Sequence, residues 1–310
     1  MDWRRIGFLK YSAAATLMCA VAVQAADRPL IKAMEWLSPP QYLAALTTQP
    51  PRASIDHDHQ TIAGEVLFHA PTILGGQAAK AGLSCASCHE NGRDNPAFLF
   101  PNLSDAPGTA DVTSSFFSAH RGNATFDPVP IPDLTLPGKI SRSADNKDLE
   151  QFIRDLIVEE FDGQEPSAST LDALARYIRS LRKPEVEERV SLTADDHFSD
   201  IAQAVQAARV AQEQDDPDLS QLLLAAARHR LGLVHERFAG KRLKRERKAI
   251  VAASRVLGKI QYNPDKNAFL EELEKWQMTF PGFQKLGQEK QHLSLYNPEI
   301  LSAALAQSKR

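Results

Sequence analysis

Apolar residues recur every three or four positions along most of the second half of the chain, from residue 191 onward. This spacing places the apolar side chains on one face of a helix. Four successive helices are predicted: one opening at Thr193-x-x-Asp196, one opening at Asp216-Pro217 and ending at Gly240, one over residues 241–262, and one over residues 269–276 that ends before Pro281-Gly282. Because the connections between them are short, residues 190–310 are predicted to form an antiparallel helical bundle domain.

The first half of the chain combines three short helical patterns with one long segment that lacks any pattern. Helical spacing is found at residues 64–68, 149–161 and 171–181. The segment Ser167-Ala-Ser-Thr170 precedes the last of these and resembles a helix cap. Residues 95–139 are rich in proline and predict no strand. Loops of that length in a compact domain usually have a function, so we predict a mainly α-helical protein with a loop-rich domain over residues 60–185.

The first 25 residues have the pattern of a secretory signal peptide. Arg4 and Arg5 precede an apolar run over residues 12–23, and the small residues around Ala25 suit cleavage. This run is shorter than the roughly 20 residues that span a bilayer, so an uncleaved membrane anchor is the less favoured alternative. We expect a periplasmic or otherwise exported protein in which residues 26–59 form an N-terminal extension.

The charge of the chain excludes one class of function. A formal net charge of −3 does not provide the broad basic field that non-specific nucleic-acid binding requires. The densest basic run, residues 241–248, could dock an acidic redox partner or an anionic membrane surface. A solvated first helical turn is the favoured interpretation of this run, so membrane association is not the expected mode of action.

Cys85, Cys88 and His89 form a Cys-x-x-Cys-His pattern, which is typical of covalent haem attachment. Two thiols at this spacing can bond to the two vinyl groups of a haem while the histidine lies beneath the iron. A thioredoxin-like dithiol would follow a strand of a βαβ unit, and no strand pattern precedes this motif. A zinc site would need a second pair of ligands. The sequence therefore predicts one covalently bound haem c.

Together with Gly64-x-x-x-Phe68 and Leu174-x-x-Tyr177-Ile-x-x-Leu181, this motif resembles a cytochrome c domain. Within that class it is similar to domains of the bacterial di-haem cytochrome c peroxidase and MauG-like family, through the segments LSCASCH and FFSAHRGNATFDP. The resemblance covers residues 60–183. It implies a cytochrome c-like haem domain with long loops, thioether bonds at Cys85 and Cys88, and His89 as proximal iron ligand. The enzymes of that family carry two haem motifs, whereas this chain carries one.

The second axial position of the iron has several candidates. No methionine lies between residues 90 and 180, so His120 is the leading candidate ligand. An open or water-bound iron is the main alternative, and His69 is a weaker one. Arg93 and Arg121 could pair with the haem propionates, because a guanidinium group matches a carboxylate.

Two other histidine-containing groups are poor candidates for metal sites. The segment Asp56-His-Asp-His59 lacks spaced partner ligands and is interpreted as a solvated loop. His229 and His235 are six residues apart, which places them on opposite sides of a helix.

These observations predict an exported mono-haem c-type cytochrome that transfers electrons to an unidentified redox partner protein. One alternative is a single-haem peroxidase-like or oxidase-like enzyme with an open iron, in which His120 would act as a distal acid–base group. Another is a haem-containing module that binds a partner protein.

Overall fold

The computed structural model describes residues 29–113, 116–118, 120, 122–143 and 145–307. Helices make up 60% of this part of the chain and strands are few, which confirms the predicted mainly α-helical class. The predicted signal peptide lies outside the described residues. Of the helices that are described, none combines the length and the apolar character needed to cross a membrane.

Helices are found along both halves of the described chain. In chain order, the α-helices are α1 (Tyr42–Thr47), α2 (His59–Phe68), α3 (Gly76–Ala81), α4 (Cys85–Cys88), α5 (Asp148–Asp155), α6 (Ala168–Ser180), α7 (Ala194–Glu213), α8 (Pro217–Arg237), α9 (Lys244–Ile260), α10 (Lys266–Lys290) and α11 (Pro298–Gln307). Short 3₁₀ turns lie at Lys32–Trp36, Pro39–Gln41, Pro71–Ile73, Glu90–Gly92, Lys241–Leu243 and Gln291–Leu293, and a π-turn at Leu156–Glu160 follows α5. The helices predicted in both halves of the chain are thus found.

Two short antiparallel ladders complete the described secondary structure. They are formed by β1 (Thr48–Gln49) with β4 (Val190–Ser191), and by β2 (Thr109–Ala110) with β3 (Val129–Pro130). The second ladder shows that the prediction of a strandless segment over residues 95–139 is wrong. Each of its strands is two residues long, which is too short to produce an alternating pattern in the sequence.

Helices α2 and α6 form the centre of the first half, and both begin at residues that cap them. The Asp58 carboxylate accepts hydrogen bonds from two backbone N–H groups of the first turn of α2, each at 3.1 Å. Ser167 caps α6 by accepting from the Thr170 N–H at 3.2 Å. The two helices cross closely at Gly64, where a Cβ atom would lie 2.0 Å from the Ala173 carbonyl oxygen.

Helices α7 to α10 pack against one another in the second half. Thr193 and Asp196, which were predicted to open this helix, form a capping box at the start of α7, in which the Asp196 carboxylate accepts the Thr193 N–H at 2.7 Å. Asp216 caps α8 by accepting the Leu219 N–H at 3.1 Å. The boundaries that depend on local side chains are therefore close to those predicted.

The predicted end of the fourth helix at Pro281-Gly282 is wrong, because α10 continues to Lys290. A proline inside a helix removes one backbone hydrogen bond and normally breaks the helix. In α10, Phe280 stacks on Trp276, with ring centroids 4.9 Å apart, and Gly287 lies so close to Phe198 that a Cβ atom would clash with it. Burial of residues on both sides of Pro281 holds the helix together.

The two halves are in direct contact. Helix α2 packs against α7 and α8, and the buried apolar residues of both halves form one continuous cluster. The N-terminal extension also joins them, because Thr48 pairs with Ser191 and the Leu192 N–H donates to the Thr47 carbonyl at 2.8 Å. The predicted division near residues 185–190 stays a prediction.

Candidate cofactor site

The one-turn helix α4 positions the Cys-x-x-Cys-His motif. The Ser84 N–H donates to Ser87 Oγ at 3.0 Å, and the Ser87 N–H donates to the Ser84 carbonyl at 2.9 Å. The turn closes where the His89 N–H donates to the Cys85 carbonyl at 2.9 Å. Residues three apart share one face of a helix, so the free thiols of Cys85 and Cys88 line the same cavity as His89.

This cavity is almost entirely apolar and encloses about 940 Å³, part of it open to solvent. Apart from the motif and Ser84, the described residues that line it are aliphatic or aromatic, and they include Phe68, Leu83, Leu103, Leu149, Ile157 and Leu174. Most of these side chains are buried. A lining of this character suits a largely apolar cofactor. The residues present therefore fit a haem.

His89 is oriented by a backbone carbonyl. Its Nδ1 lies 3.0 Å from the Pro132 carbonyl oxygen, and because a carbonyl can only accept, Nδ1 carries the proton. Nε2 is then left with a lone pair that can bind a metal, which is the usual arrangement of a metal-ligating histidine. The Phe68 ring supports the imidazole at a centroid distance of 6.4 Å.

Burial determines the protonation of all three motif side chains. It lowers the pKa of His89 to about 4, so the ring is neutral at neutral pH. It raises the pKa of Cys85 to about 11 and that of Cys88 to about 12. Both cysteines are therefore thiols near neutral pH. Redox-active dithiols show the opposite shift, since their reactivity depends on a lowered thiol pKa.

The π-turn at Leu156–Glu160 forms part of the wall of this cavity, through Leu156 and Ile157. Single π-turns within helices are frequent at functional sites. The Gly163 N–H donates back to the Ile157 carbonyl at 2.7 Å and closes the end of the turn. The helical spacing of apolar residues over 149–161 predicts a helix here. It does not reveal that the helix changes from α-helical to π-helical geometry at Leu156.

His120 is not among the described residues that line the cavity. Its side chain is 68% exposed, and its Nδ1 lies 3.1 Å from Asp162 Oδ1. The same segment reaches the cavity wall through Phe117, whose ring lies 5.9 Å from that of Phe161. His120 therefore lies beside the cavity, and its role as an axial ligand stays a prediction.

His69 is not among the described residues that line the cavity of His89. Its Nδ1 is 2.9 Å from the Glu65 carbonyl, and its Nε2 is 3.3 Å from Asn91 Oδ1. Both ring nitrogens are thus engaged with the protein. Asp58, in the segment interpreted as a solvated loop, is the cap of α2.

The arginines predicted to meet propionates have different positions. Arg93 lies 3.8 Å from Asp133, the residue after Pro132, so it helps to hold the segment that orients His89. Arg121 lies outside the described residues.

Arg142 was not predicted to take part in the site. It donates to the carbonyls of Leu134 at 2.9 Å and Ile178 at 2.7 Å, and both of these residues line the cavity.

Two features in this region could not be found from the sequence. Pro132 acts through its backbone carbonyl, which no side-chain pattern reports. Arg142 acts on backbone carbonyls that are far away in the sequence. In the part of the chain that is described, no group of three or more His, Cys, Asp or Glu side chains could hold a bare metal ion. A haem iron needs only axial ligands from the protein.

Comparison of the chain with protein-family models, curated proteins and solved structures finds no match.

Proposed function

We propose that the chain binds one haem c through Cys85 and Cys88, with His89 as the proximal ligand, and acts as an exported electron-transfer protein. One observation carries the proposal: the Pro132 carbonyl fixes the His89 proton on Nδ1, in a cavity shared with both thiols. A bound haem would supply one-electron chemistry at its iron. The protein would hold it, orient the imidazole and exclude water from one face.

The rim of the cavity favours electron exchange with a partner protein. Val112 and Phe152 line the cavity and are also 37% and 57% exposed. An apolar cofactor edge between them would be accessible to the surface of a redox partner. Exposed apolar side chains beside a cofactor suit a short-lived protein contact.

A second candidate function is a peroxidase-like enzyme with an open iron. Of the described residues that line the cavity, His89 alone offers a nitrogen or thioether ligand. This favours a free second axial position, unless the segment with His120 closes over the cofactor.

Covalent haem attachment is tested by producing the chain in a host that exports it and matures c-type cytochromes. Denatured wild-type protein should keep haem-linked peroxidase stain on a gel, because thioether bonds survive denaturation. The double variant Cys85→Ala/Cys88→Ala should lose the stain.

Cys19→Ala is the matched control, since Cys19 lies in the predicted signal peptide, and it should stain like the wild type. Loss of stain from denatured wild-type protein would show that the haem is not covalently bound and would reject the proposal.

A further inference from the structure

A second large cavity lies on the other side of α4. Ala86 and Ser87, the residues between the two cysteines, form part of its wall. Other parts of its wall come from α1, α7, α8 and the N-terminal 3₁₀ turn Lys32–Trp36, and from residues such as His69 and Asn91. It encloses about 1080 Å³, part of it open to solvent. The proposed haem function does not use this cavity.

Arg237, the last residue of α8, brings a buried positive charge to this cavity. Its side chain donates one hydrogen bond, to the Leu46 carbonyl at 2.6 Å, and lies 5.0 Å from the centre of the Tyr296 ring. The residue is 5% exposed, and no carboxylate of the described residues lies within 4.0 Å of its guanidinium group. A buried charge without a partner is strongly unfavourable.

The other arginines of this cavity already have partners. Arg52 pairs with Glu65 at 3.2 Å and with Asp200, and Arg230 pairs with Asp200 at 3.4 Å. Arg237 therefore differs from its neighbours, because no carboxylate of the described residues pairs with its positive charge.

The nearby carboxylates are engaged in other contacts. Asp196 accepts hydrogen bonds in the cap of α7, and Glu236 accepts the Lys32 N–H at 3.1 Å. Neither carboxylate lies within 4.0 Å of the Arg237 guanidinium group, so its N–H groups that do not bond Leu46 can donate to an anion.

Two histidines of the cavity wall can add neutral hydrogen-bond donors. His197 Nδ1 lies 2.5 Å from the Tyr296 hydroxyl, and when that hydroxyl donates, the ring proton lies on Nε2. Burial lowers the pKa of His197, which keeps the ring neutral. His229 also lines the cavity, is half-buried, and makes no hydrogen bond to the described residues.

Part of the cavity wall is apolar and includes Trp36, Leu37 and Leu46. We propose that this cavity binds a small organic carboxylate, whose oxygens meet Arg237 and His197 while its apolar body lies against Trp36 and Leu46. An inorganic anion would satisfy the arginine and leave the apolar wall uncovered. A neutral apolar molecule would cover the wall and leave the charge unpaired.

Calorimetric titration of the full, haem-loaded chain with benzoate tests the proposal, with benzamide as the neutral control of the same shape. Benzoate should bind with a saturable heat, and benzamide should bind at least about tenfold more weakly, because it lacks the charge that pairs with Arg237. Arg237→Gln should weaken benzoate binding by about tenfold or more.

A second variant does not depend on whether Arg237→Gln folds. His229→Glu adds a further carboxylate to the cavity wall and should weaken benzoate binding, because its negative charge repels that of the ligand. His235→Glu changes the same helix at a residue that does not line the cavity, and should bind benzoate like the wild type.

Three results would overturn the proposal. They are the absence of saturable benzoate heat up to about 10 mM, equal binding of benzamide, and unchanged binding by His229→Glu. A change in haem absorbance that saturates together with the benzoate heat would place the ligand at the iron and would also reject it. The haem stain of the same preparation shows separately whether the cofactor is attached.

Discussion

At the scale of single residues, the proposed haem function makes His120 the residue that distinguishes an electron carrier from an enzyme. If it is the second axial ligand, the wild-type iron should be low-spin and should bind carbon monoxide slowly. His120→Ala should then give a high-spin spectrum and fast carbon monoxide binding, measured by absorbance. His57→Ala is a suitable control, because His57 is an exposed histidine in a loop. A wild-type protein that is already high-spin and reacts quickly with peroxide would favour the peroxidase-like alternative.

Glu150 gives a residue-scale prediction for the dependence of stability on pH. Its carboxylate accepts hydrogen bonds from the Arg179 guanidinium, at 2.8 and 3.2 Å, and from Lys147, which lower its pKa from 4.5 to about 2. A group with a lowered pKa in the folded state stabilises the protein above its unfolded pKa. This contribution is therefore full above about pH 4.5 and is lost as pH falls towards 2.

Glu150→Gln should consequently reduce the free energy of unfolding by roughly 2 kcal/mol at neutral pH. The difference between variant and wild type should shrink in denaturant titrations below about pH 4. Lys147→Gln is the milder comparison, since the Lys147 side chain is largely exposed. A difference that is the same at pH 7 and at about pH 2.5 would contradict the assigned role of the carboxylate.

At the scale of helices, the crossing of α2 and α6 determines where the cavity wall lies, because Phe68 ends α2 and Leu174 belongs to α6. Gly64→Ala should destabilise the fold by about 1–3 kcal/mol, because its methyl group would meet the Ala173 carbonyl. The measurement is thermal or denaturant unfolding. Gly232→Ala in α8 is the matched control: a methyl group there meets no atom within 4 Å, so it should be neutral or slightly stabilising. Equal behaviour of both variants would show that the crossing is not tight.

The helices also show how far a sequence can predict this fold. Thr193, Asp196 and Ser167 act on their own helix turns, so local patterns find them. Pro281 gave a wrong prediction of where α10 ends. The helix stays intact through contacts such as that of Gly287 with Phe198, which belongs to α7 and is distant in sequence. The candidate site was likewise predictable only in part. Cys85, Cys88 and His89 are close in sequence and form a recognisable motif. The carbonyl that orients His89 belongs to Pro132, which comes close to it only in the folded chain.

At the scale of the whole molecule, the exposed segment over residues 183–190 is the expected site of limited proteolysis. The two fragments should stay together in native buffer on a sizing column, because α2 packs against α7 and α8 and β1 pairs with β4. They should separate in denaturant. Fragments that separate in native buffer would show that the halves are independent domains with only a weak contact.

The pairing of Thr48 with Ser191 also has a consequence for the order of events during synthesis. Contacts between residues distant in sequence form late, since the chain between them must be made and closed into a loop. The motif at Cys85–Cys88 leaves the ribosome well before Ser191. Ser191 belongs to strand β4, which pairs with β1 in the first ladder. The wall of the thiol cavity itself includes residues up to Ile178, so in a haem-binding chain the thiols would stay open to a haem-attaching enzyme while these residues are still being made or exported. Attachment would precede folding, and the cofactor would be in place when the loops close around it.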